Sequence, residues 1–391
     1  MILSLILLRF FFVLLASENS AAFVKKTPGP SKPVQFQSNK VDFGLFGYQL
    51  EAIEYKQVDT DIDICDQFTI YKFGVPQPFY TVENPRTEEQ PIITKPPFIG
   101  ETGIKVRPKP KGKCVSCCPT GPADIQLQLF SKFQRETPVL LPPVKEKTGN
   151  YENLKRASTI IIYIHGFMEI TDLGSANNIK NAYLSRADDY AVIIVDWSEL
   201  VSFPWYFQAV NNIESVAKLL VTFLETYTDA GTINIGNIHM IGFSLGAHVA
   251  GHVGQLLRKG LKIRRITALD PALPGFKSEK KRKLSKSAAE FVDVIHTDGG
   301  NFGNIEAVGH VDFYPNGGTF RQPGCSRTFL AKTGKLYDLF SCSHNRAHKF
   351  FVNSIISPYD FPAVKCLIAR NQTKVCNESD TAYMGIAAYF K

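Results

Sequence analysis

The chain has 391 residues, of which 44% are hydrophobic and 20% charged. That is enough apolar content to bury a large core, which excludes disorder of the whole chain, and enough length for one large catalytic domain plus an extension. The formal net charge of +8 is modest. It implies attraction to anionic surfaces without identifying one, and no nucleic-acid partner is expected.

Ile2 to Ala16 is almost wholly apolar, broken by Ser4 and Arg9 and followed by small residues at Ser17, Ser20, Ala21 and Ala22. The run is shorter than the roughly 20 residues that span a bilayer, so residues 1–22 read as a cleaved signal peptide and the protein as secreted. Eight cysteines fit disulfides in an exported chain. They form two groups, Cys65, Cys114, Cys117, Cys118 and then Cys325, Cys342, Cys366, Cys376. Metal binding by Cys114 and Cys117 is the rival reading, but no His or Cys stands at finger-like spacing around them. Cys117 and Cys118 are adjacent and poorly placed to bond each other, so Cys65 is expected to join one of Cys114, Cys117 or Cys118. The sequons at Asn371 and Asn377 agree with secretion and mark two glycosylation acceptors.

Residues 23–118 form a Pro-rich extension, a pro-segment, a spacer or a small β-rich module. Eleven of the 23 prolines lie between residues 23 and 113. Val106 to Lys113 reads as an extended basic linker. From 119 to 391 the pattern becomes regular. Ile125–Phe130 alternates like a half-buried strand, and Thr159–Ile164 and Tyr190–Val195 are continuous apolar runs of the kind found in buried central strands. Asn211–Tyr227 has helical spacing. Ile238–Ile241 is a further strand, followed by a turn and a helix over Leu245–Leu257, then by strands over Ile263–Leu269 and Phe291–Ile295. Strands alternating with helices predict an α/β fold with a mostly parallel sheet flanked by helices.

Gly242-Phe-Ser-Leu-Gly246 sits between a strand and a helix. A serine in that turn projects its hydroxyl from the top of the sheet, the glycines let backbones crowd, and the N–H of Leu245 opens a helix where it can donate to an oxyanion. Ser244 is therefore the candidate nucleophile. Asp270 ends the next strand and is the candidate acid, ahead of Asp293, Asp298 and Asp312. Of the later histidines, His344 is the candidate base. It is placed at a loop-to-helix junction two residues after Cys342, with His348 one turn further on as the main competitor and His296 as a core or edge histidine. The second oxyanion donor is expected from the turn Ile164-His-Gly-Phe167, through the N–H of Phe167.

Several longer segments stand in one order along the chain: Val195-Asp-Trp197, Gly242 to Gly251, Ala268-Leu-Asp-Pro-Ala272, Phe291 to Asp298, Val308 to Gly318, Pro323-Gly-Cys325 and Cys342-Ser-His344. With these, the region from Ile125 onward resembles the pancreatic-type (neutral) lipase family of α/β-hydrolases. The resemblance implies a Ser244–Asp270–His344 triad, oxyanion donors at Phe167 and Leu245, a lid closed by Cys325–Cys342 and a second loop closed by Cys366–Cys376. It also implies an enzyme that cleaves carboxylic esters of lipids at a membrane or lipoprotein surface. Four features depart from the family pattern. Only 16 residues lie between Cys325 and Cys342, the stretch from Asp298 to Val308 is short, and members with both loops short are often phospholipases A1. The C-terminal sandwich domain has no counterpart before Lys391, so no colipase is expected. The segment where the family carries structural calcium, Lys280 to Ala289, has no carboxylate, so neither metal nor cofactor is expected.

Phospholipase A1 is thus the leading expectation. Triacylglycerol or galactolipid lipase is the alternative, and a silent lipid or yolk-type carrier is the reading from another class. The basic run from Lys277 to Lys286 is expected to steer the protein to anionic lipid, with lid residues Phe329, Leu330, Leu336, Leu339 and Phe340 completing the contact.

Overall fold

The structure, a computed structural model, describes residues 41–42, 49–50, 52–56, 65, 69–73, 102–144, 151–172, 174–276, 283–325, 338–368 and 374–389. The expected signal peptide, the basic residues 277–282, the lid residues 326–337 and Asn371 lie outside these.

The extension contributes β1 (Val41–Asp42), β2 (Gln49–Leu50), β3 (Ala52–Lys56), β4 (Thr69–Phe73) and β5 (Thr102–Val106). The last three pair antiparallel as a small sheet, so of the three expectations for this region the described part is β-rich. The basic-linker expectation for Val106 to Lys113 is corrected. Arg107 is buried, and Lys111 forms an ion pair with Asp124 at 2.6 Å. These cations are used in packing and not spent in solvent.

The rest of the chain runs β6 (Gln126–Ser131), β7 (Gln134–Leu141), α1 (Glu152–Arg156), β8 (Thr159–Ile164), α2 (Gly174–Leu184), β9 (Tyr190–Asp196), α3 (Tyr206–Asp229), β10 (Ile238–Phe243), α4 (Leu245–Leu256), β11 (Ile263–Leu269), β12 (Ala289–Ile295), β13 (Val311–Phe313), α5 (Asp338–Ile356), β14 (Pro362–Ile368) and β15 (Lys374–Tyr383). One sheet takes eight strands in the order β13-β12-β11-β10-β8-β9-β6-β7. The six from β13 to β9 are parallel, and the β6–β7 hairpin is antiparallel at one edge. β7 escapes a reading by periodicity because Pro138 interrupts it. A proline lacks the N–H of a central strand but is tolerated at an edge, which is where β7 lies.

The continuous apolar runs are explained by two cores, one on each face of the sheet. In β8, Ile160, Ile162 and Ile164 face the core built with α3 and α4, while Ile161 and Tyr163 face the core built with α2 and α5. Each such fully buried side chain is worth about 1.5–3 kcal/mol relative to exposure. Because β8, β9, β10, β11 and β12 run parallel, their carboxyl ends lie along one edge, where α/β sheets place their sites. It is the α/β-hydrolase arrangement.

All eight cysteines are paired, as Cys65–Cys118, Cys114–Cys117, Cys325–Cys342 and Cys366–Cys376. Among the described residues no helix is long and apolar enough to cross a membrane.

Candidate active site

Ser244 stands between β10 and α4 with φ 55° and ψ −115°, a backbone conformation that a non-glycine residue adopts only when its surroundings impose it. The surroundings here are backbone. A Cβ on Gly246 would meet the carbonyl oxygen of Ile164 at 2.1 Å, and one on Gly242 would meet the Gly246 oxygen at 2.4 Å. Both glycines therefore let α4 press against β8 and β10 so that the turn stays sharp. The Ser244 N–H donates to the Leu269 carbonyl (3.0 Å), and the Ala272 N–H donates to the Ser244 carbonyl (3.2 Å). Those bonds tie the serine to both sides of Asp270. Leu245 is the first residue of α4, so its N–H has no intrahelical acceptor and points to the positive end of the helix.

Asp270 is fully buried at the end of β11, with φ 43°. Its Oδ1 accepts from the N–H groups of Thr297 (2.7 Å) and Asp298 (3.1 Å), and its Oδ2 lies 2.6 Å from Nδ1 of His344. A carboxylate there fixes the tautomer, with Nδ1 carrying the proton and Nε2 left as a base. The loop over Asp270 closes at Gly303, where a Cβ would fall 2.4 Å from both carboxylate oxygens. The His344 ring packs 4.7 Å from Phe243 and 5.9 Å from Phe302, centroid to centroid. Burial disfavours its charged form. The hydrogen bond and charge of Asp270, aided by Asp298 and Glu169, outweigh that and raise its pKa above the ordinary 6.5.

His344 does not stand at a loop-to-helix junction, as the sequence led us to expect. It lies inside α5, which begins at Asp338 and carries Cys342 within it. His348, one turn on, packs edge-on against Phe243 at 5.3 Å. Burial pushes its pKa well below the usual value, and its Nδ1 has no hydrogen-bond partner among the described residues. His296 is a core histidine, bonded to the Asn304 carbonyl (2.6 Å) and Asp312 (2.8 Å) and stacked on Tyr314. Asp293 bonds Arg265 through both oxygens, and Arg265 in turn donates to the carbonyls of Gly385 and Ile386. That buried pair anchors the C-terminal segment.

The loop after β8 forms the facing wall. His165 is buried, with its carbonyl accepting from the Trp197 indole (3.2 Å). The Gly166 N–H donates to Glu169 (2.9 Å), which also accepts from the Ser175 hydroxyl (2.7 Å). Gly166 is needed for closeness, because a Cβ there would lie 3.1 Å from the Cβ of Ser244. The Phe167 ring packs edge-on against Tyr206 at 5.1 Å. Ser244, Asp270, His344, Phe167 and Leu245 thus converge on one edge of the sheet.

One neighbour was not singled out for this site from the sequence, and another was ranked low. Glu169 braces the turn, and nothing in its local pattern marks it. Asp298 had been ranked below Asp270 as a loop acid. It is buried beside the Asp270–His344 pair, which raises its carboxyl to about 6. Burial is the main cause and the Asp270 charge adds to it, against lowering by His344 and by its bonds from Phe302 and Asn301. Among the described residues, Asp270, Asp298 and His344 are the one group placed to hold a metal ion. Asp270 and His344 already satisfy each other, which suits proton chemistry better than ligation.

A sequence model of the lipase family matches residues 113–390. The chain belongs to the lipase family. Among its relatives, lipase member H of Xenopus tropicalis is 39% identical over 255 residues, covering 63% of this chain and 52% of the relative. Human pancreatic triacylglycerol lipase is 34% identical over 306 residues, covering 73% and 63%, and bovine lipoprotein lipase is 35% identical over 260, covering 61% and 53%. This lipase-family chain therefore spans about half to two thirds of the length of the curated relatives it matches.

Proposed function

We propose that the protein is a secreted hydrolase of lipid carboxylic esters, and specifically a phospholipase A1. Ser244 Oγ attacks the ester carbonyl while His344 Nε2 takes its proton. Asp270 holds the imidazole in the productive tautomer and stabilises the imidazolium, and the N–H groups of Phe167 and Leu245 receive the oxyanion. Collapse of the tetrahedral intermediate releases the alcohol, protonated by His344, and leaves an acyl-Ser244 ester that water hydrolyses by the same groups. The observation that carries this reading is the 2.6 Å contact between His344 Nδ1 and Asp270, on the edge where Ser244 is held at φ 55°.

The head-group preference rests on loop length. Only 16 residues lie between Cys325 and Cys342 and the stretch from Asp298 to Val308 is short, the loop pattern that the resemblance associates with phospholipases A1. A triacylglycerol lipase is the second reading, favoured by the likeness to pancreatic triacylglycerol lipase. Contact with a lipid surface is supported by exposed Phe207, Ile305 and Phe320. Phe207 follows Tyr206, which packs on Phe167, and Ile305 lies against Gly299. Secretion is supported by the apolar leader at Ile2–Ala16 and the four disulfides, and exposed Asn377 suits glycosylation.

The test is a phosphatidylcholine with different acyl chains at sn-1 and sn-2, offered beside triacylglycerol and galactolipid, with the released acids identified by mass. Release of the sn-1 acid ahead of all others is expected. Faster release from triacylglycerol would replace the first reading by the second.

A further inference from the structure

The stretch from Ile104 to Lys111 precedes residue 113, where the family match begins, yet it is built into the catalytic domain. Ile104, Lys105 and Arg107 are buried. β5 pairs with β4 along one edge and meets, along the other, the two loops that frame the oxyanion turn. The Lys105 N–H donates to the Met168 carbonyl (3.4 Å), the Phe203 N–H to the Lys105 carbonyl (2.9 Å), and the Arg107 N–H to the Phe203 carbonyl (3.1 Å). The Met168 N–H donates to the Val201 carbonyl (2.9 Å). Met168, next to Phe167, has φ 69°, so its backbone is held against its own preference from both sides.

Side chains lock the same contact. Glu199 receives Lys105 and Arg107 and lies 3.6 Å from Lys111. Burial alone would raise its carboxyl; the three cations hold it low instead. Arg107 also donates to the Cys65 carbonyl (2.6 Å), and Cys65 is bonded to Cys118. The Trp205 indole donates to the Arg107 carbonyl (2.9 Å), and the Asn212 amide bridges the carbonyls of Lys111 and Leu200, each at 2.9 Å.

We propose that residues 104–111 act as a strap that positions the oxyanion loop, with Arg107 and Glu199 as its positioning residues. The inference deepens the ester-hydrolase reading and rests on it. The extension is then a working part of the site. The strap fixes where the Phe167 N–H points, and that matters only when negative charge develops on the carbonyl oxygen. Its loss therefore lowers kcat and leaves ground-state binding alone.

The test uses the full chain, a soluble short-chain p-nitrophenyl ester and the variants Arg107→Ala, Arg107→Lys and Glu199→Gln. It reads kcat and KM separately, together with deuterium exchange of the peptide containing residues 165–169. Arg107→Ala is expected to lose about tenfold in kcat with KM unchanged, less than the roughly 10²–10³ lost when an oxyanion donor is removed outright. Exchange at 165–169 should quicken. Arg107→Lys, which keeps the charge, should recover most of the rate. If Arg107→Ala is not secreted, Glu199→Gln, similar in shape but uncharged, should show the same split. An unchanged kcat, a change confined to KM, or unaltered exchange would overturn the strap. A parent protein that hydrolyses no ester would instead defeat the ester-hydrolase reading, and exchange in the variants would still decide the strap.

Discussion

The two walls of the site are held by different means. Ser244 is held by backbone packing and backbone bonds, with Gly242 and Gly246 letting α4 close on β10 and β8, and with Leu269 and Ala272 bonded to the serine main chain. The facing turn at His165–Phe167 is braced by side chains, Glu169 of its own loop with Ser175 behind it and Trp197 across the sheet edge, while the next residue, Met168, is bonded to Val201 and to Lys105 of the extension. A nucleophile presented by its own backbone tolerates change around it. An oxyanion donor whose direction is the sum of several distant contacts does not. Asp270 and His344 resemble the second wall, being 74 residues apart and joined across the loop that follows β12.

The contrast is sharpest in the variants with the largest expected effect. Ser244→Ala and His344→Ala should each lower ester hydrolysis by about 10⁶, because triad members act as a unit. The protein should still fold and melt near the parent temperature, since neither side chain carries the turn. Unfolding of Ser244→Ala would show that the hydroxyl, and not the glycine packing, holds the elbow.

Asp270→Asn should cost about 10⁴ in kcat, because an amide reverses the tautomer of His344 while keeping its place. His348→Ala, one turn away on the same helix, should leave most of the activity, since His348 Nδ1 has no hydrogen-bond partner among the described residues. Reversed results would exchange the roles of the two histidines.

A smaller effect is the pH dependence. His344 must be neutral to accept the serine proton, and Asp270 raises its pKa above 6.5. Rate should therefore fall as pH drops through a midpoint above that value, and the midpoint should move down in Asp270→Asn. Stability has the opposite sign. A folded pKa above the unfolded one means that protonation of His344 favours the fold. That contribution is complete below about 6.5, the unperturbed histidine value, and is lost as pH rises through the folded midpoint. An acid limb at or below the ordinary histidine value would mean that Asp270 does not govern the base.

The same division explains what could be read from the sequence. The elbow is local, so Gly242-Phe-Ser-Leu-Gly246 between an apolar strand and a helix was legible, as were β8 and β9, whose runs are apolar because both faces are buried. β7 was not legible because Pro138 disguised it. Residues 106–113 were misread as a linker because Arg107 and Lys111 look solvated until Glu199, Asp124 and the Cys65 carbonyl come to meet them across the fold. Glu169 and the closeness of Asp298 to the histidine escaped for the same reason. Their meaning depends on partners that no spacing reveals.

The most direct measurement is active-site labelling of the full chain with a fluorophosphonate, followed by peptide mass mapping and assay of the labelled protein on a phospholipid. The account predicts one adduct, on Ser244, that forms in step with loss of ester hydrolysis and is absent from His344→Ala. An adduct on another residue, or hydrolysis that persists when Ser244 is fully labelled, would contradict it.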